Sequence, residues 1–168
     1  FCLSRGLGDV YKRQNTYKSM QEFQTFLELY PQSDKVQLAQ EYLFEMQEKL
    51  ALKELMACRL YFNLGNYMGN NYESCVVTAR EAIKTYPYSK YLEEYQVLIL
   101  RSRYELANQS INERKPERYR DVIDEQYNYL NMFPEGKYKK EAERYHKQAL
   151  KAIGQNTDNL SISPEETK

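Results

Sequence analysis

The chain has 168 residues, enough for one domain, and its 24 basic residues are balanced by 24 acidic ones. Zero net charge argues against a nucleic-acid module, which usually carries a basic excess, and no apolar run approaches the length that spans a bilayer. With 6 Gly, 5 Pro and no Trp, but 17 Tyr, the composition favours helices with wide faces, rings turned inward and hydroxyls at the rim.

Residues 1–14 show no helical period and no cap. They resemble a translated sequencing-adaptor scar, so they are read as a non-native segment and set aside. The alternative is a processed targeting segment with Cys2 as a lipid acceptor, but a basic region followed by an apolar core is missing. Met20, Phe23, Phe26, Leu27 and Tyr30 then form one apolar face of a helix. A second helical pattern runs from Val36 to Leu64 with no Pro or Gly between Ser33 and Gly65. That is long for a globular helix, and its apolar stripe shifts phase at Leu50-Ala51-Leu52, so a break or bend is expected near Glu48–Leu52. Gly65 to Asn71 reads as a loop. Helices follow over Tyr72–Tyr86, Tyr91 to about Ser110, Pro116–Phe133 and Tyr138–Ile153. Pro116 suits a first turn, where its missing N–H is not needed. Gly154 is expected to end the last helix, leaving 154–168 as a disordered polar tail.

One joint recurs three times: Tyr30-Pro31-Gln32-Ser33, Tyr86-Pro87-Tyr88-Ser89 and Phe133-Pro134-Glu135-Gly136. Proline disfavours αR geometry in the residue before it, so each helix ends at the aromatic. Ser33 and Ser89 can then cap the next helix, with Gly136 a weaker substitute. A recurring joint is the mark of a helical repeat array. The expected fold is all-α: an antiparallel helix-pair array over 15–153, an α-solenoid of about six to seven helices.

Asn70-Asn71-Tyr72-Glu73-Ser74-Cys75, then Ala79, Ala82 and Pro87, resembles the second helix of a tetratricopeptide repeat, with Cys58 at the matching small position of the first helix. Glu117 to Pro134 is a weaker copy. The combination of Tyr30-Pro31-Gln32-Ser33, Lys49 to Leu55, Ala57 to Phe62 and a second Tyr-Pro-x-Ser is similar to the BamD family. These are the outer-membrane β-barrel assembly lipoproteins of Gram-negative bacteria. The resemblance covers roughly residues 15–153, the C-terminal part of a five-repeat protein, in a Bacteroidetes-like variant. Leu64 stands where the family commonly has a basic residue, and the loops at 66–71 and 112–115 are longer than usual.

The resemblance implies a non-enzymatic scaffold at the periplasmic face of the outer membrane. Its implied partners are the barrel insertase, other assembly lipoproteins and unfolded outer-membrane proteins, with a lipid anchor on a segment N-terminal to this chain. It also implies an oxidising compartment, in which Cys58 and Cys75 could bridge if the geometry allows. A cytoplasmic repeat adaptor that binds a peptide is the alternative.

No residue pattern points to an enzyme or a cofactor. His146 has no patterned catalytic partner and reads as a surface residue of the last helix. Cys58 and Cys75 read as small packed residues, since no other metal ligand lies at suitable spacing. Lys137, Lys139, Lys140 and Arg144 are interrupted by Glu141 and Glu143, which indicates a solvated face. Glu93 and Glu94 are adjacent and cannot act as a pair on one helix face. What remains is surface. Tyr and Arg dominate protein–protein hot spots, so Tyr61, Tyr67, Tyr72, Arg101, Arg103 and Tyr104 are the protein-binding candidates. For any single tyrosine, packing between repeats is the competing reading.

Overall fold

The computed structural model describes residues 2–160, with side chains over 14–154. Among the described residues there are six helices and no strand: α1 (Cys2–Leu29), α2 (Val36–Leu64), α3 (Asn71–Thr85), α4 (Leu92–Asn108), α5 (Lys115–Met132) and α6 (Lys139–Leu160). The chain divides into two compact units, Phe1–Ala51 and Leu52–Lys168.

The three joints match hydrogen bond for hydrogen bond. Tyr30, Tyr86 and Phe133 each donate their N–H to the carbonyl four residues back, on Phe26, Ala82 and Tyr129. Ser33, Ser89 and Gly136 donate to those aromatics' carbonyls, and Val36, Leu92 and Lys139 donate in turn to Ser33, Ser89 and Gly136. Pre-proline geometry explains the stop: Tyr86 sits at φ −125°, ψ 63° and Phe133 at φ −134°, ψ 70°, both outside the helical region. The serine caps act one turn earlier than expected. Ser33 Oγ accepts from the Lys35 N–H at 3.2 Å and Ser89 Oγ from the Tyr91 N–H at 3.3 Å. They stabilise the turn that leads into the helix, while Tyr91, at the cap of α4 itself, makes no side-chain cap bond. All joints and both connecting loops span six residues. The unequal spacing of the joints is therefore a matter of helix length. α2 has 29 residues against 17 in α4, and α5 has 18 against 15 in α3.

Three expectations are corrected. Helix α2 is unbroken through 48–52, because a phase shift in the apolar stripe changes which face is buried without removing a backbone hydrogen bond. The boundary between the two units, Ala51 to Leu52, falls at that shift. Helix α1 begins at Cys2, so its helix runs through the segment that lacks a helical period. Extending an existing helix adds one hydrogen bond per residue fixed, so a stretch with no apolar face can follow a nucleated neighbour. Helix α6 passes through Gly154 to Leu160; one interior glycine costs only about 1 kcal/mol relative to alanine. The rest of the proposed tail, 161–168, lies outside the described residues.

In the first unit, Phe23 of α1 packs on Tyr42 of α2 with ring centres 5.8 Å apart. The second unit has two core clusters that share α4. Leu55 and Cys58 of α2, Cys75, Val76, Ala79 and Ala82 of α3, and Tyr95, Leu98 and Ile99 of α4 form one. Val97, Leu100 and Ala107 of α4, with Tyr119, Val122 and Tyr129 of α5 and Ala142, Tyr145 and Ala149 of α6, form the other. This double duty explains why Tyr95 to Leu100 are all buried. Small residues at Cys58, Cys75, Ala79 and Ala142 let neighbouring helices approach closely, and all four are fully buried.

Candidate protein-binding groove

On α2, Arg59, Phe62 and Asn63 fall within one turn and share a face; on α4, Glu94, Val97, Leu98 and Arg101 do the same at helical spacing. With Tyr138 at the entry to α6 they line a groove of about 250 Å³. Its lining is mixed: Phe62, Val97 and Leu98 stand beside the charged Arg59, Glu94 and Arg101. Arg59 pairs with Glu94. Arg101 reaches Glu141 of α6 through Nε and Nη2, each at 2.7 Å, in the bidentate geometry that suits guanidinium and carboxylate. The Arg101 guanidinium also lies 5.3 Å from the centre of the Tyr138 ring. The hydrogen bonds to Arg101 hold the Glu141 carboxyl below its usual range and raise Arg101 in turn. The Arg101 guanidinium is thus held in a fixed orientation.

Glu93, next to Glu94, serves another element. It accepts from the Tyr129 hydroxyl at 2.8 Å and from the Tyr138 N–H at 3.4 Å, and the same N–H donates to the Tyr129 oxygen at 3.0 Å. Burial pushes the Tyr129 hydroxyl well above its usual range. The two carboxylates diverge, as their adjacency requires.

A second, more polar cleft lies between α3 and α5. There Arg80 pairs with Glu125, which also accepts from Gln96 Nε2 at 3.3 Å, and Arg103 pairs with Glu73 at 3.0 Å. Burial raises Asp121, while the charge of Arg103 opposes that rise. These charges are spent on joining α3, α4 and α5 to one another.

The candidates chosen from sequence separate. Arg101 lines the groove. Tyr61 is half-buried against the first core cluster. Tyr72 is buried, edge-on to Phe62, and its oxygen accepts from Gln109 Nε2 at 3.2 Å. Arg103 is committed to Glu73, and Tyr104 packs between Tyr119 and Tyr145, with ring centres 6.3 and 4.5 Å away. Tyr67 is exposed in the α2–α3 loop. Sequence reading passed over Arg59, Phe62, Asn63, Glu94 and Tyr138. The available signal was their spacing, 59-62-63 and 94-97-98-101, which places charged and aromatic residues beside apolar ones on one face.

His146 is a correction: it is half-buried, edge-on to the Tyr127 ring at 5.5 Å, and its Nδ1 has no hydrogen-bond partner among the described residues. Cys58 and Cys75 are both free thiols. Among the described residues no group of three His, Cys, Asp or Glu could hold a metal ion, and no helix is long and apolar enough to cross a membrane.

The fold is an all-α helix-pair array, an arrangement compatible with protein–protein interaction. No protein-family model matches the chain, and no curated protein matches it significantly.

Proposed function

We propose that this chain is a non-enzymatic scaffold, the C-terminal part of a BamD-like subunit of the outer-membrane β-barrel assembly machinery. In this reading it binds the barrel insertase, neighbouring assembly lipoproteins and unfolded outer-membrane proteins at the periplasmic face. A lipid on a preceding segment would provide its membrane attachment. The α2–α4 groove carries the reading. It sets Phe62 and Tyr138 beside Arg59 and Arg101, the residue types that anchor protein interfaces. Because Arg101 is already fixed by Glu141 and Tyr138, association loses little side-chain freedom there. The repeated Tyr-Pro-x-Ser joint and the extended α2 support the family assignment.

The test is binding of the folded chain to the periplasmic domains of the insertase. Capture is expected, with Arg101→Ala weakening it roughly tenfold, the usual scale for an interface arginine. A folded chain that fails to bind those domains would remove the reading. Capture of short peptides alone, together with an upstream reading frame that lacks an export signal, would favour the cytoplasmic adaptor.

A further inference from the structure

Helices α2 and α3 are consecutive and joined by the loop 65–70. The edge-on contact of Phe62 and Tyr72, ring centres 5.8 Å apart, sets their register near the loop. One turn back along α2 from Phe62 is Cys58, and one turn on along α3 from Tyr72 is Cys75. In an antiparallel pair those positions face each other. Both side chains are fully buried in the same core cluster, between Leu55, Val76, Ala79 and Tyr95. Both are free thiols.

We propose that Cys58 and Cys75 are an internal disulfide site that joins α2 to α3 when the chain folds in the presence of a small-molecule or protein disulfide. The exchange balances without any other reagent. The Cys75 thiolate attacks one sulfur of glutathione disulfide; that S–S bond breaks, and one glutathione leaves as thiolate with the electron pair. Cys58 gives its proton to solvent and attacks the Cys75 sulfur. The Cys58–Cys75 bond forms and the second glutathione thiolate leaves. Two protein thiols are oxidised, and one glutathione disulfide is reduced to two glutathiones. The reverse order, with Cys58 attacking first, gives the same products, since in the open chain neither thiol has the other as a partner. Neither sulfur is accessible in the folded chain, so the exchange precedes closure of the core. A closed core then shields the pair from oxidant and reductant alike.

The test unfolds the full chain under reduction and refolds it with either glutathione disulfide or a dithiol reductant. Peptide mapping without reduction and a thermal melt follow. A linked Cys58–Cys75 peptide is expected only after oxidative refolding, with Tm raised by about 5–10 °C, as for a bridge closing a short loop. Folded reduced protein given the same oxidant should keep both thiols. The same map on chain expressed in an oxidising and in a reducing compartment reads the pair without any refolding step. The proposal is overturned if both thiols stay free after oxidative refolding or oxidative expression, or if the bridged chain melts no higher than the reduced one.

Discussion

The second and third joints share a backbone and differ in what fills it. At the second, Ser89 is buried and its hydroxyl accepts from the Tyr91 N–H. At the third, Gly136 occupies the same place with no side chain, and a Cβ there would overlap the Tyr129 hydroxyl, the Glu93 carboxylate and the Phe133 Cβ. The turn itself is set locally, by the aromatic and the proline. The residue that follows is set by what a distant helix brings to the joint. At Gly136 that is a Tyr129–Glu93 hydrogen bond, which also collects the Tyr138 N–H.

The comparison breaks most sharply at Gly136. Gly136→Ala should destabilise by about 2–3 kcal/mol, since a held tyrosine ring cannot yield as a free side-chain end would; chemical denaturation measures it. Tyr129→Phe should cost about 1–2 kcal/mol, because it leaves Glu93 and the Tyr138 N–H without their shared partner. Combined with Gly136→Ala it should cost less than the two separately, since removing the hydroxyl makes room for the methyl group. A strictly additive double mutant would show that the clash lies elsewhere.

Glu141 tests the groove side of α4 against the joint. Its folded pKa lies below 4.5, its ordinary value, because of Arg101. Its contribution is therefore full above the unfolded value and is lost as pH falls through the folded one. Between pH 7 and pH 3, Glu141→Gln should lose about 0.5–1 kcal/mol less stability than the unmodified chain. Equal acid losses in the two proteins would contradict that pairing. The smallest effect is expected at the second joint: Ser89→Gly should cost about 0.5 kcal/mol, since glycine can take the serine's place in this turn. A loss as large as that of Gly136→Ala would show that the two joints are equally demanding and that the backbone comparison misleads.

Much of this was legible in the residues. The three aromatic-proline joints place helix ends, and Pro116 marks the start of α5, where it lies in the first turn. Asn70, legible only as part of a loop, turns out to cap α3, accepting from the Glu73 N–H at 3.2 Å. The phase shift at Leu50–Leu52 was visible, but it does not break the helix. It marks a change of packing at the unit boundary and leaves the helix intact. The tyrosines were the hardest to sort. Tyr67, Tyr72 and Tyr104 look alike in sequence, yet one is exposed, one buried and one packed between two rings.

The sequence by itself determined where α1, α3 and α5 stop and that no proline or glycine interrupts α2. These depend on backbone groups no more than four residues apart and on the geometry that proline imposes on its neighbour. Only the tertiary structure decided that Gly136 must be glycine, that Arg101 is held by Glu141, and that Cys58 meets Cys75. Each of those depends on side chains brought together from different helices, and no local spacing encodes the partner.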